Sequence, residues 1–268
     1  MIGQHNLQSR IMSLIEKDRF PRFSILVGPK GSGRKTFVKF IRYKFRNVLF
    51  ADIGIGVDSI RDIIVNAYKT TQPIIYLIAD ADNMSNAAKN ALLKVTEEPP
   101  NNAYFIMTLE DENNTLETIR SRATIFHMDR YTSDEILEYA IDRFRNELQD
   151  QKSRDIIKEL CETPGDVQTL YKANILAFYE YVRLVFDNIA EVSIANSFKI
   201  PSKVALKDDA DGYDLRLFWK AFMNICLHEN KVDGIYITSK YLAQLRIKGI
   251  NKQMAMDNWI LEIREAWA

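Results

Sequence analysis

Short runs dense in β-branched, aromatic and aliphatic residues punctuate the first half of the chain: Phe23–Val27, Val48–Phe50, Ile74–Ile78, Tyr104–Thr108 and Thr124–His127. Between them, over Leu7–Glu16, Arg34–Lys44, Ser59–Lys69 and Ser85–Thr96, apolar residues recur every three or four positions. The runs predict strands and the periodic stretches predict helices. Their alternation predicts βαβ units around a parallel sheet covered on both faces. Ile74-Ile75-Tyr76-Leu77-Ile78 carries no charged residue, as a strand buried on both sides requires.

After Arg130 the pattern becomes helical. Thr132 or Ser133, followed by Asp134 and Glu135, offers a helix start with a capping hydroxyl and acidic first turn. Pro164-Gly165, Ile200-Pro201 and the polar stretch Lys207–Gly212 interrupt the remainder. Three domains are predicted: α/β over residues 1–130, a small helical domain over 131–172, and a larger helical domain over 173–268. The segment Met254–Ile263 is strongly amphipathic. Phe178, Val182, Leu217, Phe218, Trp259, Ile260 and Ile263 form apolar stripes that predict an oligomerisation surface, the alternative being that they are the domain's own core.

Composition narrows the class. An apolar content of 47% and a charged content of 27% suit a soluble globular protein. No apolar run approaches the ~20 residues a membrane helix needs, and no signal-peptide pattern opens the chain, so a cytoplasmic protein without membrane contacts is expected. Cys161 and Cys226 stand apart in apolar surroundings and predict small buried hydrophobes, with no zinc spacing. The three histidines are scattered, which argues against a histidine-based active site.

The net charge of zero hides a local bias. From Arg19 to Arg46 there are nine basic residues and no acidic one. Such a run attracts phosphate, whether of a nucleotide or a nucleic acid; a solvated helix face is the alternative.

Within that run, Gly28-Pro29-Lys30-Gly31-Ser32-Gly33-Arg34-Lys35-Thr36 follows a strand and opens a helix. That is the setting of a phosphate loop, spaced G-x-x-x-x-G-K-[ST], in which glycines and a helix N-terminus face an anion. Gly28 and Gly33 keep the spacing, and Gly31 lies between them. Arg34 replaces the phosphate lysine, and Lys35 replaces the magnesium-binding hydroxyl. Thr36 falls one residue late, about 100° further round the helix. Arginine still contacts phosphate but forks where lysine is a point charge. A degenerate loop is predicted, with residual ATP binding open and no metal ion or resident cofactor.

A second motif points the same way. Ile74–Met84 resembles the acidic segment in which an aspartate supports magnesium and a following glutamate polarises water. In that register Ala79 takes the aspartate's place and Asp80 the glutamate's. An alternative for Asp80 is a plain acidic strand end before the next helix.

Further stretches are similar to the clamp-loader branch of the AAA+ family. Ile2-Gly3-Gln4 resembles its "IxGQ" opening, and Gly56–Arg61 its "G-[IV]-D-x-[IV]-R" segment. Asn90-Ala91-Leu92-Leu93-Lys94-Val95-Thr96-Glu97-Glu98-Pro99-Pro100 is very close to its "N-A-L-L-K-x-[LV]-E-E-P-P" helix. Ser121-Arg122-Ala123 matches its "S-R-C" motif with alanine for cysteine. The resemblance is strong over residues 1–130, weaker to 172, and architectural beyond.

The resemblance implies a P-loop parallel sheet, a helical lid and an all-α collar. It implies a ring of subunits with ATP sites between neighbours, so that other clamp-loader subunits are partners, and the sliding clamp and primer-template DNA are reached through the complex. It makes Arg122 an arginine finger acting in trans; a surface salt bridge is the alternative. It makes Thr108 a polar sensor of γ-phosphate, unless it is an ordinary strand threonine. In the lid, Thr163-Pro164-Gly165-Asp166 lacks the second sensing arginine of active members. Loss of metal ligands with retention of the finger resembles the inactive, delta-prime type, although the four-cysteine zinc insert common there is missing. Two rivals remain from sequence: an active AAA+ ATPase using Arg34 and Thr36, and a DNA-binding protein acting alone through the basic run.

Overall fold

The computed structural model describes residues 2–145, 148–199, 202–206, 212–245, 247 and 249–268. Ile200-Pro201 and most of Lys207–Gly212, expected to interrupt the helices, lie outside the described residues. The chain divides into two compact units, one ending at Glu135 and the other starting at Ile136.

The first unit alternates helices and strands: α1 (His5–Glu16), β1 (Phe23–Val27), α2 (Arg34–Lys44), β2 (Leu49–Ile53), α3 (Val57–Lys69), β3 (Ile74–Ile78), α4 (Asn86–Glu97), β4 (Ala103–Leu109), α5 (Glu117–Arg120) and β5 (Thr124–His127). All five strands are parallel, in the order β2-β3-β4-β1-β5. Successive side chains of a strand point to opposite faces, which builds two apolar layers. Phe23, Ile25, Tyr76, Ile78, Phe105 and Met107 pack with Ile60 and Ile63 of α3 and Leu92 and Val95 of α4. Leu26, Ile75, Leu77, Tyr104 and Ile106 pack with Ile11 of α1 and Phe37, Val38 and Ile41 of α2. The centre strands β1 and β4 are buried along their whole length.

Strands β1, β3, β4 and β5 have the predicted limits or include them; β2 departs. It runs to Ile53 because it is an edge strand, where an exposed Asp52 is tolerated. The one-turn helix α5, directly ahead of Arg122, left no periodic pattern for sequence reading to find.

The second unit contains α6 from Ile136 to Phe144 (the helix begins at Ser133), α7 (Gln151–Leu160), α8 (Pro164–Lys172), α9 (Ile175–Asn188), α10 (Ile194–Ser197), α11 (Leu215–His228), α12 (Val232–Gln244) and α13 (Lys252–Trp267). Against the helical expectation, Val204–Ala205 pairs in parallel with Tyr213–Asp214, a two-residue ladder ahead of α11. The core is aromatic. Phe222 meets Trp259 edge-on at 4.7 Å between ring centres, and the Trp259 indole N–H donates to Thr238 Oγ1 at 3.0 Å.

The apolar stripes expected to form an oligomerisation surface do not do so. Phe178, Val182, Leu217, Phe218, Trp259, Ile260 and Ile263 are all buried within this chain. Phe218 of α11 meets Trp259 of α13 at 5.8 Å between ring centres, and Phe178 of α9 meets Tyr213 at 5.1 Å, so the aromatic residues are spent on the domain's own core. Cys161 and Cys226 are buried free thiols, as expected, and burial pushes the Cys226 thiol up to about 12.

Candidate functional site

In a parallel sheet all strands end at the same edge, so the segments leaving neighbouring strands meet there. Strands β3, β4 and β1 are neighbours, and Asp80, Glu110 and the glycine loop follow them directly. The Gly28 N–H donates to the Leu109 carbonyl at 3.0 Å, which ties the loop's start to the end of β4.

The loop turns as its glycines allow. Gly31 and Gly33 have φ of 84° and 88°, a region that side-chain-bearing residues enter at a cost, and Gly33 caps α2. Ser32 is buried between them. Its hydroxyl donates to Met128 Sδ at 3.4 Å, and its carbonyl accepts from the Tyr131 hydroxyl at 2.8 Å. Gln4 brings the N-terminal motif to the same edge. Its amide donates to the Asp129 carbonyl and accepts from the Asp129 N–H, both at 2.7 Å.

Arg34 does not project outward. Its side chain is only 7% exposed and folds back into the loop, donating to the Gly28 carbonyl at 2.8 Å. The same guanidinium reaches Asp80 Oδ1 at 3.2 Å and Glu110 Oε1 at 3.5 Å. Lys35 Nζ lies 2.8 Å from Asp80 Oδ2. Thr36 is exposed on α2. Ala79 packs against the α1–α2 layer.

Asp80 is held independently of these cations. Its φ of 51° is left-handed, uncommon for a residue with a side chain, and its N–H donates to Thr108 Oγ1 at 2.9 Å. Thr108, fully buried on β4, therefore spends its hydroxyl on the backbone of the next strand's end. Glu110 is held by Asp82, whose two carboxylate oxygens both accept the Glu110 N–H at 2.9 Å. Sequence reading singled out Asp80 but not Glu110. The available signal was electrostatic: a basic run with no acid of its own needs carboxylates elsewhere, and the ends of β3 and β4 supply them.

Arg122 occupies a different place. It follows α5 and is 40% exposed. One guanidinium nitrogen donates to the Thr118 carbonyl at 2.8 Å, and the other lies 3.1 Å from Glu97 Oε1 at the end of α4. The surface salt bridge considered from sequence is thus present, and it also fixes the direction of the guanidinium. Glu97 was legible only as part of the "E-E-P-P" match, without a role.

In the second unit, Thr163 and Asp166 cap the start of α8 reciprocally, and Asp166 is buried. Arg216 from α11 pairs with Asp166 there, so an arginine distant in sequence stands at this helix start.

With this geometry, similarity to known proteins becomes informative. The family model described as "DNA polymerase III, delta subunit" matches residues 43–132, about a third of the chain. That stretch is similar to the family. It is 25% identical over 167 residues to the DNA polymerase III subunit gamma/tau of Mycoplasma genitalium, covering 51% of this chain and 28% of that protein. To the DNA polymerase III subunit delta' of Haemophilus influenzae it is 36% identical over 78 residues, covering 28% and 24%. The chain thus spans under a third of the length of these curated relatives. The fold is shared with the RuvB Holliday junction branch migration motor of Thermotoga maritima, which superposes with a TM-score of 0.50 over 84% of this chain and 77% of that one, at 18% identity. The family match includes Asp80, Thr108 and Arg122 but stops short of the glycine loop at 28–36. No helix among the described residues is long and apolar enough to cross a membrane.

Proposed function

We propose that the chain is a clamp-loader subunit that does not hydrolyse ATP itself and completes the ATP site of a neighbouring subunit with Arg122, in the manner of a delta-prime stator. The observation that carries this reading is a contrast between two arginines. Arg34, in the chain's own loop, is buried and engaged by Gly28, Asp80 and Glu110, whereas Arg122 is 40% exposed, its guanidinium oriented by Thr118 and Glu97.

Chemistry supports the same division. Hydrolysis needs magnesium held against the phosphates and a carboxylate that polarises water. Lys35 and Ala79 stand where the resemblance implies the hydroxyl and the aspartate, and neither ligates magnesium. An arginine needs no metal of its own to act on a phosphoryl group held by another chain; it supplies two parallel N–H donors and a fixed positive charge. Other clamp-loader subunits are the implied partners, with the sliding clamp and primer-template DNA reached through the assembly, and the lid and collar over residues 131–172 and 173–268 are its proposed framework.

The purified chain should show no ATP turnover above background in a phosphate-release assay with magnesium. Turnover at the rate of a AAA+ motor, abolished by Arg34→Ala, would return the chain to the active class.

A further inference from the structure

We infer that Asp80 and Glu110 serve the glycine loop as an internal anion, engaging the two cations through which it would otherwise hold a phosphate group and keeping it closed to polyphosphates. The inference deepens the inactive reading given above and rests on it for the loop's origin.

Charge and geometry carry it. Arg34 and Lys35 bring two positive charges, and Asp80 and Glu110 bring two negative ones. Asp80 bridges the pair, one oxygen on Arg34 and the other on Lys35, as one oxyanion with two acceptor atoms would. Neither carboxylate is placed by the cations alone. The left-handed backbone of Asp80 is fastened to Thr108, and the backbone of Glu110 to Asp82. A residue with φ of 51° costs conformational energy that persists only where surrounding contacts over-determine it. An incoming phosphate therefore competes with carboxylates already fixed beside the cations. Asp80 and Glu110 are 45% and 46% exposed, so solvent and small anions reach them.

The test is calorimetric titration of the full chain with sodium pyrophosphate in low salt. Asp80→Asn with Glu110→Gln removes both charges and preserves the backbone bonds to Thr108 and Asp82; asparagine also tolerates the left-handed conformation. The double variant should bind pyrophosphate at least ten-fold more tightly than wild type, and adding Arg34→Ala should erase the gain. Equal affinity of wild type and double variant overturns the proposal, as does a gain that survives Arg34→Ala. If circular dichroism shows the double variant unfolded, Asp80→Asn alone decides: a gain of several-fold supports the proposal and no gain overturns it. ATP turnover by wild type would sink the inactive reading whatever pyrophosphate does, while an absent gain leaves that reading standing.

Discussion

Gln4 shows how much one polar side chain does in this molecule. It is 3% exposed, and its amide satisfies both the N–H and the carbonyl of Asp129. Truncation removes both bonds to the exposed Asp129, and a hydrogen bond of this kind contributes about 0.5–1.5 kcal/mol. Gln4→Ala should lower the unfolding free energy by that amount in urea titration; a change under about 0.5 kcal/mol would mean that water replaces the amide. Cys226 supplies a pH-dependent counterpart. Burial pushes its thiol up to about 12 from the ordinary 9.0. Between those values the unfolded chain releases the proton and the folded chain keeps it, so folding weakens as pH rises from 9 towards 12. This contribution is fully retained below pH 9 and amounts to at most about 2 kcal/mol at pH 10.5. The gap between denaturation midpoints at pH 8 and 10.5 should narrow in Cys226→Ala, with a remainder left by Cys161 and Tyr241, whose pKa values burial also raises; an unchanged gap would assign the whole alkaline loss to such other groups.

At the scale of elements, the glycine loop is where backbone conformation decides most. A Cβ on Gly33 would meet nothing nearer than Thr36 at 4.0 Å, so space is available and only the φ of 88° opposes a side chain. Gly33→Ala should therefore destabilise the first unit by about 1 kcal/mol without disturbing its packing, readable as a small fall in thermal midpoint with unchanged near-ultraviolet dichroism. A loss several times larger would mean that the loop cannot adjust at all. This loop, β1, β3, β5 and α2 were legible in the sequence because each rests on local pattern: continuous apolar runs, glycine spacing, helical periodicity. The ion network was only half legible. Asp80 sits in a recognisable motif, but Glu110 joins Arg34 across 76 residues of sequence, and only the sheet order brings them together. Arg216 with Asp166 and Glu97 with Arg122 are likewise joined by tertiary packing and not by local pattern. The apolar stripe stayed open between assembly surface and core for the converse reason: periodicity shows that Phe218 and Trp259 are buried, not against what.

For the whole molecule, the structure separates a sheet-based unit carrying both arginines of interest from a helical unit whose large apolar side chains pack on one another. On the proposed reading the loop is inactive, and the exposed Arg122 gives the first unit a function that only an assembly can express. The most direct measurement is ATP turnover by a complex reconstituted from this chain and the proposed clamp-loader partners, with saturating clamp and primed DNA, comparing wild type, Arg122→Ala and Arg122→Lys. One exposed arginine contributes no more than about 1 kcal/mol to stability, so folding and assembly should be nearly unchanged. Turnover should fall by one to several orders of magnitude, on the order of 10³-fold for a finger acting in trans. Lysine should restore little, because an ammonium lacks the planar two-pronged contact. Equal turnover in all three complexes would make Arg122 no more than the partner of Glu97 and would contradict the account.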